Sequence, residues 1–321
     1  MQSKIIPIIL CGGSGTRLLP FLKYHSPKQF LNILDRKNNL LQNTLLRFVD
    51  QQSFDKPIVV GNVSHKATLM ESIKEISAPV EALILEEEGR NTGPAIAAVM
   101  THLKESGFAD NKLFLIVPID HYISSKKQFL NRIEIVRQLM QSGVYNNKIL
   151  TFSVQKTTKE NNYGHLKVGM TLPFKKLNNL FEVTDFIEKP QHNVCLKNTL
   201  WNSGIYCMSI RTCRNIIMQN SPYTWHYSYR ATTEGVQRST RTLLNHEIIL
   251  NHKHFSKNSS ISFDQIVTMP YESGSVICTD IGTEWEDIGL WSGITRLYVK
   301  KNAKTLPIIN QDIFAQQIQL P

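Results

Sequence analysis

Gly12-Gly13-Ser14-Gly15-Thr16-Arg17, with Lys28 close behind in Pro27-Lys28-Gln29-Phe30, is the stretch of this 321-residue chain best suited to hold a phosphate chain. Glycines let backbone N–H groups face outward in a tight turn and let an anion come close. Arg17 and Lys28 add positive charge, so the chemistry implied is that of a nucleoside triphosphate site. Two common phosphate loops are excluded by spacing. No Gly-Lys pair exists for the pattern G-x-x-x-x-G-K-[ST], and after Gly13 and Gly15 the third position of G-x-G-x-x-G is Leu18. By glycine count alone, an ordinary strand-to-helix turn is an equal reading.

Other residues carry chemistry by type and position. Asp120, in Pro118-Ile119-Asp120-His121, ends an apolar run. A carboxylate there can reach into a cleft and bind Mg²⁺, a hard cation that takes oxygen ligands, or can simply open a turn. Asp287 lies between Trp285 and Trp291, which either wall off its charge or pack a turn. Lys28 and Lys189 differ from most of the 36 basic residues because each adjoins a proline. Arg90 and Asn91 precede Thr92-Gly93-Pro94, a helix start whose N–H groups attract anions or are merely capped.

The elements that must position these residues follow from apolar spacing. Ile5–Leu10, Ile58–Val60, Ala82–Leu85, Leu113–Val117 and Ile149–Val154 read as strands. Helices are expected after a Ser64 cap, with Leu69, Ile73 and Ile76 on one face, then from Asn91 to Leu103, and along Phe129, Ile133, Val136 and Met140. The alternation implies an α/β fold with a doubly wound, mostly parallel, Rossmann-like sheet. Ligands of such sheets bind beyond the carboxyl ends of the strands, where both the glycine loop and Asp120 fall. After about residue 160 the pattern loosens into short strands and turns, with helical segments expected near 210–219 and 243–251. A soft boundary near 157 is expected within one continuous sheet.

Composition bounds the function. Net charge is +10, with 41% hydrophobic and 19% charged residues, which suits a polyanionic ligand. The basic residues are scattered, with no aromatic-interleaved patch, so nucleic acid is not expected. Five cysteines at 11, 195, 207, 213 and 278 form no C-x-x-C pair, and a reducing, cytoplasmic setting is the simplest reading. No signal peptide or membrane-spanning segment is expected.

Taken together, Gly12-Gly13-Ser14-Gly15-Thr16-Arg17-Leu18, Pro27-Lys28-Gln29-Phe30-Leu31, Glu86 to Ala95, Pro118 to His121, Phe186 to Pro190 and Trp285 to Trp291 resemble the sugar-1-phosphate nucleotidyltransferase family. Within it they look most like the mannose-1-phosphate guanylyltransferases. The blocks run in family order from residue 10 to 291. The resemblance implies a nucleotidyltransferase-type domain over 1–299, with a nucleotide part of about 1–156, a sugar-phosphate part of about 157–299 and a tail of 300–321. It implies GTP, mannose 1-phosphate and Mg²⁺ as reactants and cofactor, and GDP-mannose and pyrophosphate as products. It leaves a homodimer open.

By that resemblance Asp120 and Asp287 are the metal ligands. Arg17 meets the β- and γ-phosphates, Lys28 the triphosphate side and Lys189 the sugar phosphate. Gly12, Gly13, Gly15, Thr16, Arg90 and Asn91 lie near the nucleotide. Gly164 lets a sugar approach the backbone, Glu188 accepts from its hydroxyls, and Asn202 both donates and accepts. The chain departs from the family pattern at Leu19, Leu22-Lys23, Glu87, Gly93 and Ile119. These departures motivate a rival reading, a non-catalytic regulatory subunit that binds nucleotide-sugar. The retained carboxylates and lysines argue against it, and another sugar 1-phosphate or NTP is the alternative within the enzyme class. Longer family members carry a C-terminal β-helix or isomerase domain; neither is expected here, nor is isomerase activity.

Overall fold

The structure is a computed structural model that describes residues 3–12, 27–156, 163–188, 198–239, 243–268 and 274–300. The first half runs β1 (Ile6–Leu10), α1 (Leu40–Leu45), β2 (Ile58–Asn62), α2 (Lys66–Glu75), β3 (Val80–Glu86), α3 (Thr92–Glu105), β4 (Leu113–Pro118), β5 (His121–Ile123), α4 (Lys126–Met140) and β6 (Ile149–Val154). Then follow β7 (His165–Thr171), β8 (Leu180–Ile187), β9 (Thr199–Ser209), α5 (Ile210–Asn220), α6 (Pro222–Thr233), β10 (Val236–Ser239), β11 (Leu244–Ile249), α7 (His252–Phe255), α8 (Phe263–Thr268), β12 (Val276–Asp280), β13 (Trp285–Asp287) and α9 (Trp291–Lys300).

One large sheet has the order β10-β11-β3-β2-β1-β4-β9-β6-β12-β8-β7. Its central strands, such as β1 and β4, are apolar on both faces because helices cover both. Ile6 and Ile8 of β1 pack with α3 residues such as Ile96 and Val99, whereas Ile9 faces Leu41 and Leu69 of α1 and α2. In β4, Phe114 and Ile116 take the α3 side, while Leu115 and Val117 meet Phe129 and Ile133 of α4. This two-sided burial is what a near-continuous apolar strand signals, and the doubly wound α/β expectation holds.

Parallel pairing is concentrated in β11-β3-β2-β1-β4. Beyond β4 the sheet is mixed, since β9 runs antiparallel to both β4 and β6, while β12 is parallel to β6. The block around Trp201–Tyr206 therefore lies in an eleven-residue central strand, longer than the short strands expected there.

Two local expectations are corrected. Residues 243–251 are not helical: Leu244–Ile249 form β11, which pairs in parallel with β3. Leu244, Glu247 and Ile248 are buried, and β3 supplies the backbone partners that local propensity does not foresee. Nor does Ser64 cap α2. Asn62 accepts from Ser64 N at 2.9 Å and opens a 3-10 turn, Val63–His65, ahead of the helix. Leu69 and Ile73 are buried on α2 as expected, and Ile76 lies just past its end.

Candidate functional site

The carboxyl ends of β1, β2 and β3 and the start of α3 surround a cavity of about 710 Å³, lined among others by Gly12, Asn62, Glu86, Asn91 and Thr92. Asn91 adopts φ 66°, a conformation asparagine tolerates, and its Oδ1 accepts from Thr92 N at 2.9 Å, capping α3. Arg90 Nη2 donates to Glu88 Oε2 at 3.0 Å. Gly93 is enclosed, since a Cβ there would lie 2.8 Å from the Ile261 carbonyl oxygen and 2.7 Å from Ile266 Cδ1. That explains why glycine stands where the resemblance has alanine. The expected nucleotide residues Gly13, Gly15, Thr16 and Arg17 lie outside the described residues.

Glu86, the last residue of β3, is the feature of this cavity that sequence spacing did not single out. It is 7% exposed. A Cβ on Gly12 would sit 3.7 Å from its Oε1, and its Oε2 has no hydrogen-bond partner among the described residues. Burial pushes its carboxyl up to about 8.

The two expected carboxylates meet at the neighbouring strand end. β5 and β13 form a small antiparallel ladder with Asp287 opposite His121. Ile288 N donates to the Asp120 carbonyl at 2.8 Å, and Gly289 N donates to Asp287 Oδ1 at 2.7 Å. A Cβ on Gly289 would collide with Asp120 Oδ2 and lie 2.9 Å from Asp287 Oδ1. The glycine is thus the gap between the two acids. Ile119 points the other way, into the core with Ile288, so an apolar residue is at home there.

Lys28, in the 3-10 turn Lys28–Phe30 that follows Pro27, places its Nζ on Asp120 Oδ2 as an ion pair. Burial acts to raise the Asp120 carboxyl, but the Lys28 ammonium and then His121 outweigh it and hold it below the usual carboxylate range. The His121 imidazole is pushed down to about 4 by burial and stays neutral. It packs edge-on to Trp285 at 5.1 Å, and its carbonyl accepts from the buried Arg47 Nη2 at 2.7 Å. Strand alternation turns Glu286 away from Asp287; Glu286 Oε2 accepts instead from Arg296 Nε at 3.0 Å.

A third group gathers where β7, β8 and β9 meet. His165 pairs with Ile187 of β8 and with Trp201 of β9, which brings the flanking Gly164, Glu188 and Asn202 together. Asn202 N donates to the Gly164 carbonyl at 2.8 Å. A Cβ on Gly164 would lie 2.6 Å from Phe186 Cζ and 3.4 Å from Glu188 Oε2, so the ring of Phe186 already claims much of the space that glycine leaves. The Asn202 amide is saturated by the protein. Its Nδ2 donates to Tyr206 Oη at 2.9 Å and Asp264 Oδ1 at 2.8 Å, and its Oδ1 accepts from Thr151 Oγ1 at 2.6 Å and Gly204 N at 3.3 Å. Asp264, on α8, has no motif around it that spacing would flag. Lys189 lies outside the described residues.

These three groups line one edge of the sheet, and residues 6–303 match the Nucleotidyl transferase family. The chain belongs to the nucleotidyl transferase family. Among relatives of this nucleotidyl transferase, a mannose-1-phosphate guanylyltransferase of Escherichia coli is 30% identical over 99% of this chain and 66% of its own length. One of Salmonella muenchen is 30% identical over 98% of this chain and 63% of its own length. The chain thus spans less than two thirds of the length of these relatives. A crystal structure titled mannose-1-phosphate geranyltransferase, from Thermus thermophilus, superposes with a TM-score of 0.70 at 20% identity, covering 92% of this chain and 79% of that one, and shares the fold.

Among the described residues of this nucleotidyl transferase, no three or more His, Cys, Asp or Glu side chains cluster as a metal cage. Two carboxylates flanking Gly289 suit a different arrangement. A divalent cation with oxygen preference is commonly held by one or two carboxylates, with substrate phosphates and water completing its shell. The Asp120–Asp287 pair fits that donor set.

Proposed function

We propose that this chain transfers GMP from GTP to mannose 1-phosphate, giving GDP-mannose and pyrophosphate. The observation that carries the reading is the meeting of Asp120 and Asp287 across Gly289, beside Lys28 and next to the glycine-lined cavity. The relatives' named reaction supplies the sugar. The nucleotide part is assigned to about 1–156 and the sugar-phosphate part to about 157–299.

The residues divide the work. Gly12 to Thr16 offer backbone donors to the triphosphate, and Arg17 and Lys28 neutralise it. Arg90 and Asn91 border the nucleotide at the start of α3. Glu86 reads the base: an ionised carboxylate accepts from N1–H and the 2-amino group of guanine, whereas adenine presents a bare acceptor at N1. Gly164, Glu188 and Asn202 shape the sugar pocket, and Lys189 meets the sugar phosphate. A phosphate oxygen of the sugar phosphate attacks the α-phosphorus. That O–P bond forms as the bond from the α-phosphorus to pyrophosphate breaks, with no covalent enzyme intermediate. Asp120 and Asp287 would hold Mg²⁺, whose chemistry is to neutralise phosphate charge and orient the oxygens. The protein's own share is positioning and electrostatic stabilisation.

The test is pyrophosphate release with Mg²⁺, GTP and mannose 1-phosphate, run beside ATP, UTP, dTTP and glucose 1-phosphate. Release confined to GTP with mannose 1-phosphate is expected. Release with a different pair would move the substrate assignment. Absence of release with every pair, together with tight binding of GDP-mannose, would overturn catalysis in favour of a regulatory subunit. No helix among the described residues is long and apolar enough to cross a membrane.

A further inference from the structure

Ile119 and Asp120 form the turn between β4 and β5. The parallel pairing of β4 with β1 ends at Pro118, and the antiparallel ladder of β5 with β13 begins at His121. Asp120 therefore stands between the end of one ladder and the start of another. Three donors from other segments hold the carbonyls of this turn. Thr44 Oγ1 donates to the Ile119 carbonyl at 3.4 Å, Ile288 N to the Asp120 carbonyl at 2.8 Å and Arg47 Nη2 to the His121 carbonyl at 2.7 Å.

The Arg47 bond follows from register. In an antiparallel ladder, pairs that exchange hydrogen bonds alternate with pairs that do not. Ile288 N bonds the Asp120 carbonyl, and Ser124 N bonds the Glu284 carbonyl at 3.1 Å, so the pair Asp287–His121 falls on the non-bonded step. The His121 carbonyl is thereby turned away from β13, and its donor comes from the turn that ends α1. That donor is a buried guanidinium, 7% exposed. Burying a cation is costly, but a charged, planar donor holds a carbonyl more firmly than a neutral side chain does. Its base is rigid. Arg47 N bonds the Thr44 carbonyl at 3.2 Å. At the other end of α1, Asn39 and Gln42 cap each other and bond Ser72 of α2, Asn39 Nδ2 to its Oγ at 2.9 Å and Gln42 Nε2 to its carbonyl at 3.1 Å. Leu40, Leu41 and Leu45 of α1 share one apolar cluster with Ile119 and Ile288, the neighbours of the two acids.

We propose that Arg47, with Thr44 beside it, is a positioning residue for the divalent cation. The two side chains hold the backbone on either side of Asp120, so that its carboxylate meets that of Asp287. Neither touches substrate; they act through Asp120. This rests on the reading of Asp120 and Asp287 as the pair that holds the cation.

The decisive variant is Arg47→Met in the full chain, which keeps the apolar stem and loses the donor. The measurement is calorimetric GTP affinity, with Mn²⁺ as the divalent probe and again in EDTA. The ratio of the two affinities is the coupling between metal and nucleotide. The wild type should bind GTP more tightly with Mn²⁺, and Asp120→Asn should lose most of that gain. Arg47→Met should cut the ratio by about tenfold, as for one lost hydrogen bond from a charged group, with the affinity in EDTA unchanged. Arg47→Lys should restore most of it. In the Asp120→Asn background, Arg47→Met should change the ratio no further, an outcome that a residue serving the fold alone does not give. An unchanged ratio in folded Arg47→Met overturns the proposal, and so does an additive effect in the double variant. An affinity that falls equally with and without Mn²⁺ overturns it too. If Arg47→Met does not fold, Arg47→Gln, whose amide is too short to reach the His121 carbonyl, is read by the same criteria. Failure of both to fold overturns the proposal, because the residue then serves the fold. No turnover enters these readings. A wild type that releases no pyrophosphate but keeps the Mn²⁺ gain would sink the proposed reaction and leave this proposal to the binding ratio. A wild type without that gain overturns this proposal.

Discussion

Asp287 stands in register with His121, and its carboxylate faces that of Asp120 across the bare α-carbon of Gly289. One methyl group would occupy the gap between them. Gly289→Ala is therefore expected to lower turnover by at least about a hundredfold, a cost typical of losing one element of electrostatic preorganisation. The fold should survive, because the atoms that must move aside are carboxylate ends and the backbone ladder of β5 and β13 is left in place. Steady-state kinetics beside circular dichroism checks this; near-normal turnover would show that the gap has no role.

Replacing either acid tests the pair directly. Asp120→Asn and Asp287→Asn should each cost about a hundredfold or more in turnover. They should also shift the Mg²⁺ concentration for half-maximal activity upward, since each removes one anionic oxygen ligand. The Mg²⁺ titration separates this from misfolding. A folded Asp120→Asn variant with ordinary turnover would sink the metal assignment.

Glu86 predicts a pH dependence with a definite sign. Its carboxyl, pushed up to about 8 by burial, is largely protonated at pH 7, whereas guanine binding uses the ionised form. GTP affinity should rise by about fivefold from pH 7 to pH 8 and level above about pH 9, roughly tenfold higher in all, as the ionised fraction of such a carboxyl does. Glu86→Gln should bind GTP more weakly at pH 8.5 and show no such slope. The linkage to stability runs the opposite way. The folded chain keeps a proton that the unfolded chain, with an ordinary value of 4.5, gives up. Stability from this group therefore declines as pH rises from 4.5 to about 8, and Glu86→Gln removes that decline. Fluorescence titration of GTP and urea unfolding across this range check both.

Arg296 on α9 ties two parts of the site together. It donates through Nε to Glu286 Oε2 at 3.0 Å and through Nη2 to the Tyr163 hydroxyl. Glu286 is buried, with Lys300 at 3.7 Å as its other basic neighbour. Arg296→Ala should cost about 3 kcal/mol by urea unfolding, as for a buried charge left with a weaker partner. Adding Glu286→Gln should give back part of that loss, which a double-mutant cycle measures.

How much of this was legible in the sequence varied from residue to residue. Asp120 and Asp287 were singled out by the family resemblance, since locally each could equally belong to a plain turn, while β1, β3, β4 and α4 were legible in apolar runs and 3.6-residue spacing. Glu86 carried no such signal, because an acid at the end of a strand is ordinary; its place in a cavity beside Gly12 is set by segments far apart in the chain. Asp264, a single acid in the first turn of a short helix, carried no signal either, and the bonds it accepts come from a distant strand, β9. Residues 243–251 were misjudged because a short mixed stretch takes the structure its neighbours offer, here a strand beside β3.

The sequence by itself determined which chemical groups are present and which elements carry them. Glycine placement, apolar period and capping act within a few residues, so they can be read without knowing the fold. The tertiary structure decided which groups share a space. It set Asp287 opposite His121, left Gly289 between two acids, filled the hydrogen-bonding positions of Asn202 and tied Asp264 to β9. Those outcomes depend on strand register and on contacts between segments far apart in the chain, and neither is encoded in any local stretch.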